Sequence, residues 1–236
     1  MGQGHRSSRQ VALEQHRSGR SGWLRAAVLG SDDAIVSTAS LMIGVAASAA
    51  SKGAILIAGV AGLVAGAMSM AVGEFVSVSS QRDAERADVE REKAELARSP
   101  EAELAELAGI YVKRGLDAEL AMQVAVQLSE HDRLAAHLRD ELHIEQTALA
   151  RPLQAAWISA ASFATFALVP IAALMLSPPP WRIAAIAVLS LASLAGLGAF
   201  GGRLGGAPVA RAALRVTLGG AFAMAVTAGI GRIFGG

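Results

Sequence analysis

Apolar residues come in five long blocks along this chain, and polar residues fill its start and one wide gap between the second and third blocks. The blocks fall at 26–49, 53–80, 153–176, 181–203 and about 212–234. Each has roughly the 20 residues that a helix needs to cross the hydrocarbon core of a bilayer. Only a few residues around Ser51 and Lys52 join the first two blocks, which forces an antiparallel hairpin. The run Ser177-Pro178-Pro179-Pro180 cannot continue a helix and separates the third block from the fourth. The pattern predicts an all-α polytopic membrane protein with five transmembrane helices.

The gap at 81–151 has a different texture: amphipathic, highly charged and suited to water. Helices are expected at 82–98, 100–114, 118–128 and 130–142. Ser99-Pro100-Glu101 reads as an N-cap, a proline at the first helical position and an acid in the first turn. Asp117 can cap the next helix, and Ser129 with Asp132 resembles a capping box. The chain thus divides into a polar, Arg-rich tail at 1–22, a membrane hairpin at 23–80, a compact helical domain at 81–151 and spans three to five at 152–236.

Composition sharpens this picture. Of 236 residues 53% are apolar, and the mean hydropathy is +0.44. The net charge of +1 hides strong segregation, because 16 of the 20 acidic residues lie within 81–151 against 10 bases there. Arg6, Arg9, Arg17, Arg20 and Arg25 precede the first span, and Arg203, Arg211 and Arg215 lie between the fourth and fifth. Lys52, Arg182 and Arg232 mark the other side. Basic residues concentrate on the cytoplasmic face, so the tail, the acidic domain and the 203–215 loop are expected in the cytosol. The absence of cysteine removes thiolate ligands, thiol nucleophiles and disulfides together. The first 25 residues have no apolar core and do not read as a signal peptide. With no Walker loop, G-x-S-x-G or H-E-x-x-H, no enzyme is expected. The lipid bilayer is an obligatory partner, and nucleic acid is not one.

Acid inside the first two spans is the candidate chemistry. Asp32 and Asp33 sit in the first and Glu74 in the second. A carboxylate at the middle of a membrane helix costs roughly 2.5–3.5 kcal/mol on insertion scales, so its retention points to an ion path. Antiparallel packing brings Asp33 and Glu74 to similar depth, and Met70 lies one turn deeper than Glu74 on the same face. Carboxylates beside a thioether suit a borderline ion such as Fe²⁺ better than Mg²⁺ or Ca²⁺. The plainer alternative is that Asp32 and Glu74 only snorkel or bind helix termini. In the acidic domain Glu85, Asp88, Glu92 and Glu95 share one helix face, Glu103 and Glu106 repeat the E-x-x-E spacing, and His137 and Glu141 lie four apart. Such a set can hold Fe²⁺, Mn²⁺ or Zn²⁺. Here too a plain reading stands beside it: a solvated acidic face, with Glu103 complementing a helix dipole. Gly62-x-x-x-Gly66 and Gly198-x-x-x-Gly202 read as packing motifs, the former extending a smooth stripe from Ala58. His131 and His143 are expected at the surface.

Two stretches resemble the vacuolar iron transporter family in its bacterial form: Gly30-Ser31-Asp32-Asp33-Ala34-Ile35-Val36-Ser37, and Ala65-Gly66-Ala67-Met68-Ser69-Met70-Ala71-Val72-Gly73-Glu74. The likeness runs from about Gly22 to the C-terminus and includes the order of two spans, acidic insert and three spans. It implies a homodimer of five-span subunits that moves Fe²⁺, and often Mn²⁺, out of the cytosol in exchange for protons. The resemblance puts the translocation site at Asp33 and Met70, and a cytosolic metal site at Glu92, Glu95, Glu103, Glu106 and Glu141. Ala34 stands where the family usually has glycine. His137 stands where a methionine ligand is common, which makes the site harder and more sensitive to pH. The ferritin-like domain of some bacterial relatives has no counterpart here.

The leading expectation is a proton-coupled exporter of divalent iron in a bacterial inner membrane, with Asp33, Met70 and Glu74 on the path. Fe²⁺ is its substrate, Mn²⁺, Co²⁺ or Zn²⁺ are further candidates, and no cofactor is tightly bound. Proton and metal competing for one carboxylate would give antiport without further machinery. A two-fold pair of chains would enclose the polar faces of the first hairpin and bury the Gly62–Gly66 stripe. The competing expectation is a membrane protein that senses metal or binds a partner without transport.

Overall fold

The computed structural model describes residues 21–144 and 151–235, which form seven α-helices and one short 3-10 turn, with no strand among the described residues. Nearly all of the tail expected at 1–22 lies outside them. Helices α1 (Ser21–Ala47), α2 (Lys52–Arg98), α5 (Pro152–Leu176), α6 (Arg182–Gly205) and α7 (Val209–Phe234) each contain a stretch long and apolar enough to cross a membrane. Helices α3 (Pro100–Lys113) and α4 (Ala118–Asp140) stand between α2 and α5 in the chain. The five-span, all-α architecture is the one the hydrophobic pattern predicts.

α1 is the central helix, packed against α2, α5, α6 and α7. It buries Ala26, Ala34, Ile35, Ala39, Met42 and Ile43 almost completely. Ile35, Ala39, Met42 and Ile43 meet Ile55, Leu174, Ile186, Leu194 and Met224 in one apolar cluster. Lipid tails are as apolar as leucine, so close van der Waals contact at small residues holds such helices together. Gly30 shows how close: a Cβ there would lie 2.7 Å from the carbonyl oxygen of Ser159 on α5. Gly198 does the same for α6 on α7, with a would-be Cβ 2.8 Å from the Ala213 Cα, in line with the packing role read from the sequence.

The separate span at 53–80 and helix at 82–98 are in fact one helix, α2, of 47 residues and about 70 Å at 1.5 Å per residue. Nothing at the junction breaks a helix, and Gln81 Nε2 donates to Glu85 Oε1 across it at 2.8 Å. The two helices expected at 118–128 and 130–142 also form one element, but with a break. Asp132 is extended (φ −157°, ψ 95°), and its Oδ1 accepts from the Ala135 N–H at 2.9 Å. The cap therefore sits at Asp132 and not at Ser129, whose buried hydroxyl has no hydrogen-bond partner. Asp117 caps the start of α4 as expected, accepting from the Leu120 N–H at 2.9 Å. At Ser99 the proline follows as expected, yet the hydroxyl makes no cap bond. Its backbone N–H closes α2 instead by donating to the Glu95 carbonyl at 2.9 Å. α3 and α4 pack through Leu107, Ala108, Ala125 and Ala136, flanked by Leu104, Ile110, Tyr111 and Leu128.

Candidate metal sites

The α1–α2 hairpin brings Asp33 and Met70 into the wall of one cavity of about 170 Å³. Ser37, Thr38, Leu41, Ser69 and Phe163 complete most of that wall. Asp33 is exposed and Met70 half-buried. Thr38 is almost fully buried, and its hydroxyl has no hydrogen-bond partner. A carboxylate, a thioether and neighbouring hydroxyls form a mixed hard and soft donor set of the kind a borderline divalent ion takes. Gly62 and Gly66 line the same cavity. A Cβ at Gly66 would overlap the Phe163 ring, and one at Gly62 would press on Leu41 at 3.0 Å. The stripe thus packs against α1 and α5 of its own chain. Ala34 is fully buried in a small cluster with Phe163 and Ala167.

Asp32 and Glu74 lie outside that lining. Asp32 is half-buried with one carboxylate oxygen unpartnered. Glu74 is only 8% exposed, and its Oε2 lies 3.8 Å from the Arg25 Nη2 without a hydrogen bond.

The second site is built where the far part of α2 meets the end of α4. His137 is fully buried, and its Nδ1 lies 3.0 Å from Glu92 Oε1 and 3.1 Å from Glu141 Oε2. The hydrogen bond goes to Glu141. Glu92 Oε1, though as close, is off that direction and takes no hydrogen bond; the ring's Nε2 is also buried without a partner. Ligands about 2.0–2.2 Å from a divalent ion sit roughly 3 Å apart when adjacent in its shell; each carboxylate has that spacing from the imidazole, and one ligand atom from each of the three residues lies within 4.8 Å of the others. Glu103, buried in the first turn of α3, and Glu95 join the same patch, and Glu106 lies beside Glu103. Burial pushes the Glu92 and Glu103 carboxyls up. Glu141 adds to this at Glu92, and Glu106 at Glu103, while His137 opposes it at both. Four or five carboxylates around one imidazole repel each other, and a divalent cation or protons must offset the charge. Glu85 and Asp88, from the same stripe, instead meet Gln81 and Arg91. His131 and His143 are exposed, as expected.

Sequence reasoning missed what holds the end of α4. Asp140, 9% exposed, accepts from Tyr111 Oη at 2.7 Å, Arg114 Nη1 at 2.8 Å and Arg139 Nη2 at 2.6 Å. Arg114 Nη2 also donates to the Asp140 carbonyl at 3.1 Å, and its guanidinium lies over the Tyr111 ring. Burial alone would raise this carboxyl, but the bonds from Arg139, Tyr111 and Arg114 outweigh it and hold it far below the usual carboxylate range. The network pins α4 to α3 between His137 and Glu141 and so fixes both. One signal was available: Tyr111 is the only tyrosine, and a buried phenol needs a polar partner.

Comparison with known proteins identifies the family. The VIT family model matches residues 24–232. A vacuolar iron transporter of Acanthamoeba castellanii is 48% identical over 221 residues, 92% of this chain and 82% of its own length. Vacuolar iron transporter homolog 5 of Oryza sativa subsp. japonica is 41% identical over 225 residues, covering 95% of this chain and 86% of that protein. Vacuolar iron transporter homolog 2 of Arabidopsis thaliana is 38% identical over 219 residues, 92% and 87% of the two chains. The chain belongs to the VIT family.

Proposed function

We propose that this VIT-family chain carries Fe²⁺ across a membrane, exporting it from the cytosol in exchange for protons, with Mn²⁺ as a second substrate. The observation that carries the reading is the shared cavity of Asp33 and Met70 between two spans, on the same helix that bears Glu92 at its other end. The names of the relatives, which are iron transporters, support the choice of ion. In this mechanism the cluster of Glu92, Glu95, Glu103, Glu106, His137 and Glu141 faces the cytosol and collects the ion. Asp33 and Met70 then bind it inside the membrane, and Glu74 lies on the way. A proton returns on Asp33 when the ion leaves, because an uncompensated carboxylate is costly at that depth.

The active unit is a homodimer. Asp33 is exposed within a span, and a second copy laid against the hairpin would shield it from lipid and close the path. The outer face of α2, with Val64, Met68 and Val72 more than half exposed, is the surface for that contact, since Gly62 and Gly66 face their own chain.

Flux into proteoliposomes tests the reading. Fe²⁺ and Mn²⁺ should be carried faster than Zn²⁺ and Co²⁺, with proton movement in the opposite direction and loss of flux when the pH gradient is collapsed. Metal binding without flux would establish the non-transporting sensor instead.

A further inference from the structure

Two buried carboxylates in this chain are neutralised by arginine in opposite fashions. Asp140 and Glu74 are 9% and 8% exposed. Asp140 has donors at 2.6, 2.7 and 2.8 Å, the short spacing of strong charge-assisted hydrogen bonds. Among the described residues Glu74 has only Arg25, 3.8 Å away, and Oε2 has no hydrogen bond to any of them. A structural bridge at this burial would gain from closing that gap. A ligand waiting for a different cation looks like Glu74.

Position supports this. Glu74 is one turn from Met70 on α2, and Arg25 is eight residues, about 12 Å, before Asp33 on α1. Both partners therefore stand on the same side of the membrane cavity, the side toward the helical insert. An ion coming from the Glu92–His137–Glu141 cluster meets Glu74 before it meets Met70 and Asp33. The Arg25 side chain is 62% exposed, free to swing away without opening the core.

We propose that Arg25 is a tethered cation that occupies Glu74 between ions and must be displaced by each arriving divalent cation. A monovalent ion gains little over a guanidinium already in place, whereas a doubly charged ion gains more from the same carboxylate. The pair thereby sets the loading affinity and excludes sodium and potassium at the mouth of the path.

Arg25's role rests on the transport reading above, and flux by the reconstituted full-length protein separates the two. Initial Fe²⁺ flux is measured against Fe²⁺ concentration, with potassium chloride present or replaced by an impermeant organic cation salt. Arg25→Gln should lower KM several-fold, lower kcat because release slows, and make flux sensitive to potassium. Arg25→Lys, which keeps the charge, should restore the exclusion of potassium. In the Glu74→Gln background Arg25→Gln should change neither KM nor potassium sensitivity, since nothing is left to guard. A purely structural Arg25 would reduce yield and kcat while KM and potassium insensitivity stay as in wild type, and that result overturns the proposal. If Arg25→Gln does not reach the membrane, Glu74→Gln carries the test: it should raise KM, and an unchanged KM also overturns the gate. Wild-type protein with no flux for any divalent ion defeats the transport reading and the gate together.

Discussion

The membrane cavity and the cluster in the helical insert gather ligands in opposite ways. In the membrane one carboxylate, Asp33, shares an open cavity with a thioether and hydroxyls. In the insert Glu92, Glu141 and the His137 ring already touch, with Glu95 and Glu103 close behind. The insert tolerates that crowding because α3 and α4 are pinned by a separate network at Asp140, and because water reaches its rim at Glu106. The membrane site has neither help. A carboxylate there is costly, so it has few, and an ion held by few ligands leaves easily. Dense acid suits collection and sparse acid suits passage. α2 joins the two, with Met70 and Glu92 about 33 Å apart along one axis.

The comparison breaks most sharply at Asp33. Asp33→Ala should bring Fe²⁺ flux to background while the protein still inserts and unfolds no earlier on heating, because a costly group has been removed. Flux at the wild-type level from a well-inserted variant would end the distinction between a collecting and a passing site.

At the other pole, replacing Glu92, Glu95, Glu103 and Glu106 by Gln keeps size and helix propensity but removes anionic ligands. Calorimetry on the full-length protein should then show loss of the tighter binding event, and flux should persist with a raised KM. Acid should do the same reversibly. The Glu92 and Glu103 carboxyls are raised, chiefly by burial and then by neighbouring acids. In the metal-free fold they therefore add stability as pH falls through their raised range toward the ordinary glutamate value, and lose it as pH rises. Metal requires them ionised, so affinity should fall as pH drops through that same range. Metal binding unchanged by the four substitutions would return the acidic face to a solvated surface.

Much of this contrast was legible in the chain, and the limits have physical causes. Spans announce themselves by hydropathy because lipid leaves a helix no other way to satisfy its backbone. Glu92 with Glu95, and His137 with Glu141, are visible as helical spacings. What spacing cannot give is a contact between elements. The meeting of Glu92 with His137 depends on how α4 lies across α2, and Arg25 with Glu74 on how α1 crosses it. The break at Asp132 competes with a capping signal at Ser129 three residues earlier, and local sequence does not say which hydroxyl or carboxylate finds a free N–H. The Gly62–Gly66 stripe reads the same whether its neighbour is Phe163 of its own chain or a second copy.

A smaller effect separates ligand from packing at Met70. Met70→Leu conserves volume and apolarity and removes only the sulfur. Flux of Fe²⁺ should fall on the order of tenfold, about 1.4 kcal/mol in the barrier, with little change in expression. Equal flux from Met70→Leu would leave Asp33 as the sole side chain of the pair that meets the ion.

The smallest expected effect tests whether the insert's crowding depends on its pinned end. Tyr111→Phe deletes one hydrogen bond to Asp140 and leaves those from Arg114 and Arg139, so unfolding should be easier by about 1–2 kcal/mol. Metal affinity should drop only a few-fold, because Arg114 still ties α3 to the end of α4. Asp140→Asn goes further, removing the charge that both arginines face. The sign with pH follows from its depressed carboxyl. The contribution of Asp140 is fully present above the ordinary aspartate range and is lost as pH falls through and below it. Wild type and Asp140→Asn should therefore differ most in thermal unfolding near neutral pH and converge on acidification. A gap that stays constant down to strongly acidic pH would mean that Asp140 acts by shape alone. His137 and Glu141 would then be placed by the α3–α4 core of Leu107 and Ala136.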